Sequence, residues 1–555
     1  MSSVNACIYF HPDGYTTAGR QIMGRHAAGE SFLRGFLLGT HGQDLWIQVE
    51  EPQHVAQFQS IARSFGRTEP LHAVDRRRSA ELAEPGLVFY PGPGLADEAF
   101  KRACFGHRSW SLCGITHTTC SARVMDSIVA LHTAPLHPWD AVICTSEAVL
   151  TSVQTVLAAQ EAYLRERLGC SRVVLPQLPV IPLGIHAEDF EVSASTRQAA
   201  RRSLGAETDT LVVMFMGRLA FHAKAHPLAM YQALERSAQA AGVQVVLVEC
   251  GWHANDYIRD AYSQAAAAIC PSVTVVPLDG RDPEQRTRAW AGADVFCSLA
   301  DNIQETFGLT PLEAMAAGLP VVVSDWDGYK DTVRDGIDGF RIPTLMAPAG
   351  LGADLAGRHA LDLDTYDLYC GYSSSFVSVD VQATTAAFTR LFSSAELRRR
   401  MGEEGRRRVR SSFDWTAIMP RYQELWAELN QIRGCSPELP AAAQQWPGRL
   451  DPFEAFACYP SQTLTPTTPL ILAEPDLQKT LQRFAQLFEL TMVSFAAPVL
   501  PSRAELEQLL RAASPGPRPV RELLGALAAN RRALMFRALA WLIKLDLLRV
   551  VAPAG

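Results

Sequence analysis

Residues 293–331 read ADVFCSLADNIQETFGLTPLEAMAAGLPVVVSDWDGYKD, and the reading of this stretch decides the fold. Positions 295–299 form a short apolar run and a polar loop follows. A segment rich in Leu, Glu, Ala and Met then runs to Gly318, before the apolar run 321–323. The order predicts strand, loop, helix and buried strand. In an open parallel sheet the loop between a strand and the next helix collects ligands, because unpaired amides and the positive end of the helix dipole face that crevice. Phosphate suits such a place. Glu305 and Glu313 stand at either end of the loop-to-helix turn; a carboxylate accepts hydroxyl donors well, whereas a phosphate is better met by amides. On a plain helix, two Glu at this spacing would be a solvated face.

Working outward, residues 1–185 alternate apolar runs with helical stretches, at 6–10, 44–49, 86–90, 111–116, 141–145 and 178–181. Such alternation predicts a parallel sheet wrapped by helices. The last run contains Pro179, which suits an edge strand. From about 205 the pattern restarts with runs at 211–216, 244–249 and 273–277. The chain of 555 residues has room for about three or four domains. A hydrophobic fraction of 48%, a charged fraction of 20% and a net charge of -7 describe a globular protein without the basic excess that nucleic acid requires. No basic segment followed by a long apolar core opens the sequence, and 533–551 is broken by Arg537, Lys544, Asp546 and Arg549, so no secretory signal or spanning helix is expected. The 12 cysteines lack CxxC pairs and read as free buried thiols, not as a metal site.

The segment ETFGLTPLE followed by AMAAGLPVV resembles the donor-binding motif of the retaining family 4 glycosyltransferases. The resemblance implies the GT-B fold, an α/β architecture of two Rossmann-like doubly wound domains facing a cleft. It implies that Glu305 meets hydroxyls of a donor sugar, that the backbone of Phe307, Gly308 and Leu309 meets a diphosphate, and that Glu313 binds the ribose. After the run 211–216 comes GRLAFHAKAHP, which resembles the family's Gly-Arg-Leu and Lys turn and makes Arg218 and Lys224 the cations on the diphosphate. The Lys stands one residue further from the Arg than in the commonest version. Fixed cations here would stabilise the charge gained by a leaving nucleoside diphosphate.

The first domain carries two further candidates. The loop TTAGRQIMGRHAAGESF holds Gly19, Gly24 and Gly29 before a helix expected to start near Gly29, and the resemblance makes Gly24 and Gly29 donor-binding; a plain turn is the alternative. His117 follows the run 111–116, where the family places a His near the donor sugar; a surface His is the alternative.

The resemblance divides the chain into 1–185 for the acceptor, 186–412 for the donor, a return helix 413–432, a linker 433–449 and a mostly helical module 450–555 that resembles a winged helix. The activity implied is retaining, metal-independent transfer from a nucleotide diphosphate sugar to an acceptor that is a saccharide, a lipid-linked intermediate or a protein, as in surface polysaccharide or glycoconjugate synthesis. No Asp-x-Asp motif stands where a divalent ion is usually recruited, Arg218 with Lys224 supplying positive charge instead, and no cofactor is expected. A non-catalytic scaffold acting through the C-terminal module is the alternative. That module, with balanced charges, is a candidate for self-association and not for nucleic acid. The arginines at 398–400 and 406–408 alternate with Glu403 and Glu404 and read as a solvated helix face, or as a basic patch for peripheral contact at the inner face of a membrane, with the protein otherwise cytoplasmic.

Overall fold

The computed structural model describes residues 5–16, 24–439, 446–525 and 529–551, in two compact units divided after Trp446. The first unit holds two six-stranded sheets. Strands β1 (Cys7–Tyr9), β2 (Leu45–Val49), β3 (Leu71–Asp75), β4 (Leu87–Phe89), β5 (Ser111–Ile115) and β6 (Ala141–Ile143) lie in the order β3-β2-β1-β4-β5-β6, all parallel. Strands β7 (Leu211–Met216), β8 (Val245–Gly251), β9 (Val273–Asp279), β10 (Val295–Ser298), β11 (Val321–Ser324) and β12 (Gly339–Ile342) repeat the plan as β12-β11-β10-β7-β8-β9. Runs such as LVVMFM in β7 are buried on both faces, because helices cover each side of a parallel sheet. Two doubly wound domains of this topology, joined in one unit, make the GT-B architecture.

Three sequence expectations need correction. Strand β3 has no counterpart among the expected runs: LHAVD is short and begins only half-buried, so its apolar signal is weak. The run 178–181 is not a strand but touches β6 through isolated parallel bridges at Gln177 and Val180, since Pro179 supplies no N–H to continue a ladder. The helix after β1 begins at Gly24, not near Gly29, while Gly19 lies outside the described residues.

A helix, Trp415–Cys435, follows the second domain and packs on the first one. Asp414 caps it, its carboxylate accepting from the amides of Thr416 at 2.9 Å and Ala187 at 3.0 Å. Ile185 makes main-chain bonds in both directions across the same crossing: its N–H donates to Phe413 O at 2.9 Å and its O accepts from Trp415 N–H at 3.1 Å. Trp415, Met419, Tyr422 and Trp426 are buried against helix Gly24–Gly39. That approach needs small residues opposite: a Cβ on Gly35 would sit 2.4 Å from the Trp415 ring, and one on Gly39 would sit 2.7 Å from Met419 Cγ.

The arginine-rich helix Ala395–Ser412 is only partly the solvated face expected. Arg399 and Arg407 pair with Glu403 and Glu404 at the surface, each at 2.8 Å. Arg398, Arg406 and Arg408 instead turn inward to carbonyls, Arg406 reaching Ala316 O at 3.2 Å and Ala317 O at 2.9 Å. Those carbonyls end helix Leu309–Ala316, so Arg406 caps the helix that carries Glu313.

The second unit has a three-stranded antiparallel sheet, Arg518–Pro519, Pro469–Leu472 and Leu548–Val550, with Pro469–Leu472 central. Helices Leu477–Phe488, Arg503–Ala512 and Ala529–Lys544 bury Phe484, Leu506, Leu510, Leu539 and Leu542 with Leu470 and Leu472. The helical stretch expected over 519–527 is the short helix Val520–Leu523, with 526–528 outside the described residues. Among the described residues no helix is long and apolar enough to cross a membrane.

Gly35→Ala should lower unfolding free energy by about 1–3 kcal/mol, because the added methyl overlaps the Trp415 ring. Combining it with Trp415→Leu, which vacates that space, should recover part of the loss in denaturant titrations; strictly additive effects would show that the contact is not the cause.

Candidate functional site

In the second sheet the chain runs outward from β7 through β8 to β9 and then returns to place β10 on β7's other side. The loops leaving β7 and β10 therefore diverge and leave a crevice beyond the strands' carboxyl ends. Arg218 and Lys224 stand on the first loop and Glu305 on the second. The Lys224 ammonium pairs directly with Glu305 Oε2. Glu305's side chain is 8% exposed, and its Oε1 also accepts from Thr306 N–H at 3.3 Å. Burial opposes ionisation, but Lys224 and the amides of Thr306 and Phe307 outweigh it and hold the carboxyl below its ordinary value. Glu305 is an anion in the folded protein.

Arg218 is braced for an incoming group. Its Nη2 donates to Ala223 O and Gln304 Oε1, each at 2.9 Å, and its Nη1 lies 4.0 Å from Asp367. Asn302 ties the two loops, donating to His222 O at 3.0 Å and accepting Gln304 N–H at 2.9 Å.

Phe307, Gly308 and Leu309 make the turn into helix Leu309–Ala316. Phe307 is buried and anchors the turn, and Gly308 has φ +83. A Cβ at Gly308 would lie 2.0 Å from the Tyr329 ring, so both its backbone angle and its surroundings demand glycine. Tyr329 is held by a 2.9 Å bond between its hydroxyl and Ser298 Oγ. Glu313, on the same helix, is half-buried; burial raises its carboxyl to about 7, opposed by the Arg286 guanidinium.

Two acids escape the sequence reading. Asp327 follows β11 with φ +45, and burial together with the charge of Glu305 raises it to about 8, against a hydrogen bond from Ser146 Oγ at 3.4 Å. Asp301 is buried, is raised to about 7 by burial, and accepts His226 N–H at 3.3 Å. The DWDG turn at 325–328 carries a signal for Asp327, since an Asp before Gly at the end of a strand favours left-handed backbone.

The first domain reaches this crevice at its own strand ends. Ser146 Oγ donates to Thr306 O at 2.9 Å, and the amide of Glu147, which opens helix Glu147–Leu168, donates to Asp331 at 2.8 Å. His117 is half-buried just beyond β5, beside Thr118, whose hydroxyl lies 3.2 Å from that of Tyr366 in the second domain. Gly24 and Gly29 are not drawn into the Lys224–Glu305 cluster by any contact described. Gly24 opens its helix in open space, with nothing within 4 Å of where a Cβ would stand, and a Cβ at Gly29 would collide with Gly14 O at 1.8 Å. Packing against the Pro12–Tyr15 turn is thus sufficient reason for Gly29. Among the described residues no cluster of His, Cys, Asp and Glu is arranged to hold a metal ion.

Residues 196–349 match the family model described as Glycosyl transferases group 1. That span contains Arg218, Lys224, Glu305, the Phe307–Gly308–Leu309 turn and Glu313, and excludes Gly24, Gly29 and His117. An uncharacterized glycosyltransferase of Methanocaldococcus jannaschii is 30% identical over 177 residues, 31% of this chain and 43% of the relative. A D-inositol 3-phosphate glycosyltransferase of Nocardia farcinica is 30% identical over 209 residues, 37% of this chain and 45% of the relative. The chain thus spans less than half the length of either relative. Among solved structures, Anabaena Alr3699/HepE in complex with UDP aligns at a TM-score of 0.49 with 14% identity, over 76% of this chain and 100% of that one.

Proposed function

We propose that the chain is a glycosyltransferase of the family 4 type, moving a sugar from a nucleoside diphosphate sugar to an acceptor hydroxyl with retention of configuration and without a metal ion. The observation that carries the reading is the meeting of an anionic Glu305, its partner Lys224 and a braced Arg218 at the carboxyl ends of β7 and β10. The family model covers the residues that form this cluster, and the relatives named above are glycosyltransferases by name.

Glu305 would accept hydroxyls of the donor sugar and fix its ring. Arg218 and the amides of the turn into helix Leu309–Ala316 would take the diphosphate, which becomes more negative as the glycosidic bond breaks. Lys224 lies between the two demands. It neutralises Glu305 in the free protein and offers a second proton donor towards the leaving group. Glu313, one turn further into the helix and balanced by Arg286, would take the ribose hydroxyls. On the front-face route the departing phosphate accepts the acceptor's proton, so Glu305 orients the sugar and forms no covalent bond to it.

Glu305→Gln keeps the shape and removes the charge. It should lower kcat at least about a hundredfold through loss of sugar orientation while the circular dichroism spectrum stays native; nucleotide release near the normal rate would refute the assigned role.

Asp327 gives a pH signature. It keeps its proton up to about pH 8 and is an anion above, which places a second negative charge beside Glu305 and a diphosphate. Affinity for a nucleotide sugar, measured by calorimetry, should fall as the pH rises through 8, and Asp327→Asn should flatten that limb. Stability follows the same sign. The unfolded chain releases this proton near its ordinary value of 3.8 while the folded one keeps it to about 8, so the native state binds more protons between them and stability declines across that window as pH rises. An identical slope in Asp327→Asn would assign the decline to another group.

A further inference from the structure

Helix Tyr366–Ser374 belongs to an excursion between strands Thr344–Met346 and Val377–Val379, which pair antiparallel and stand apart from the main sheet. One side of the helix faces the donor loops. Asn302 Nδ2 donates to Cys370 O at 3.5 Å, Asp367 lies 4.0 Å from Arg218, and a Cβ on Gly371 would come within 3.0 Å of His222. The other side meets the first domain just past β5. There the Tyr366 hydroxyl lies 3.2 Å from Thr118 Oγ1 and 3.5 Å from Cys120 Sγ, and Cys120 Sγ lies 3.9 Å from Cys370 Sγ. Two free thiols from different domains thus touch across the cleft, beside the residue opposite Arg218.

We propose that Cys120 and Cys370 are a redox pair whose disulfide pins helix Tyr366–Ser374 to the first domain and shuts the donor crevice. The gating half of this inference rests on the nucleotide-sugar reading; the disulfide itself does not.

The surroundings separate this pair from the other buried cysteines. Cys7, Cys113, Cys144, Cys250 and Cys297 sit in strands or directly beside them, where burial pushes each thiol well up and makes it inert. Cys120 goes the other way. Hydrogen bonding from the Cys370 thiol, then from the hydroxyls of Thr118 and Tyr366, outweighs burial and draws it down, while the same contact raises Cys370. Cys120 keeps some exposed surface and Cys370 none, so an oxidant from solvent meets Cys120 first, which makes Cys120 the nucleophile and Cys370 the resolving thiol.

Hydrogen peroxide supplies the oxidant. The Cys120 thiolate attacks one peroxide oxygen, the O–O bond breaks, and hydroxide leaves with a proton as water, giving Cys120 sulfenic acid. The Cys370 sulfur then attacks the Cys120 sulfur, the S–O bond breaks, and a second water leaves with the Cys370 proton. The sum is two thiols and one peroxide to one disulfide and two waters, and a dithiol reverses it. Cys120 keeps 8% of its surface exposed, which suits attack by a small oxidant better than exchange with a bulky disulfide. Once formed, the link would hold the Asp367 carboxylate against Arg218 and keep the two domains from parting, so a diphosphate would meet a neutralised cation in a cleft that cannot open.

The test uses the full chain treated with hydrogen peroxide, alkylated with N-ethylmaleimide, digested without reductant and mapped by mass spectrometry. A peptide pair joining Cys120 to Cys370, lighter by two hydrogens and separated by dithiothreitol, is expected. In parallel, the affinities for UDP-glucose, UDP-N-acetylglucosamine and GDP-mannose are measured by calorimetry before and after oxidation. At least a roughly tenfold loss is expected, restored by dithiothreitol and absent in Cys370→Ser or Cys120→Ser. Recovery of both residues as alkylated thiols, or their linkage to other cysteines, overturns the pair. A mapped link with unchanged affinity overturns the gating. If the reduced chain binds none of the nucleotide sugars, the glycosyl-transfer reading and the gating fall together, while the peptide map still decides the disulfide.

Discussion

The pairing of Lys224 with Glu305 is the constraint around which the crevice at the carboxyl ends of β7 and β10 is arranged. A carboxylate as enclosed as Glu305 would cost several kcal/mol if it stayed charged without a partner, and it would otherwise take up a proton. Its neighbours illustrate that outcome. Asp301, Glu313 and Asp327 are all pushed up by burial, to about 7, 7 and 8, because none has a lysine against it. The pair also joins the loops leaving β7 and β10, so one electrostatic contact fixes both walls at the point where strand order reverses. Of these four acids Glu305 alone is held below its ordinary value, by the lysine against it.

The surrounding structure holds that contact in register. Gly308 lets the chain turn sharply against the Tyr329 ring and enter helix Leu309–Ala316 at the next residue. At the other end of that helix Arg406 takes the carbonyls of Ala316 and Ala317, and Gly402 approaches so closely that a Cβ would lie 1.9 Å from Gly318 O. A basic run that reads as solvent-facing therefore contains the brace of the donor helix. Alternation of sign along a helix records charge but not direction, and three of the six arginines turn inward.

Legibility in the sequence follows the strength of local pattern. The long apolar runs of β7 and β8, and the Gly308 and Gly318 punctuation around Glu313, place the second domain and its loops without help from distant contacts. Strand β3 is lost because five residues with a half-buried start carry too little apolar signal. The end of the site formed by Tyr366, Asp367 and Cys370 is hidden for a different reason. Cys120 and Cys370 stand 250 residues apart, and nothing local to either predicts that the excursion folds back onto the crevice. Glycines divide in the same way. Gly308 is marked locally by the helix that starts after it, although the Tyr329 ring also demands glycine there, whereas Gly29 and Gly35 owe their identity wholly to partners elsewhere in the chain, Gly14 and Trp415.

The contacts between the two domains fall into two chemical kinds, and the difference orders their strength. Where the chain crosses, Ile185 bonds through its main chain to Phe413 and Trp415, and the crossing is embedded in the aromatic cluster of Phe32, Trp415, Tyr422 and Trp426. Separating these surfaces would expose several large side chains, each contributing about 1.5–3 kcal/mol by burial. Across the mouth of the cleft the contacts are single polar ones: Ser146 to Thr306, Glu147 to Asp331, Thr118 to Tyr366. Each contributes about 0.5–1.5 kcal/mol net, since water replaces the partner when it is lost. The mouth is therefore the weaker of the two contacts, and the crossing at residues 184–187 and 413–415 the stronger. The cysteine pair lies on the weaker side, where one covalent bond would outweigh every polar contact beside it.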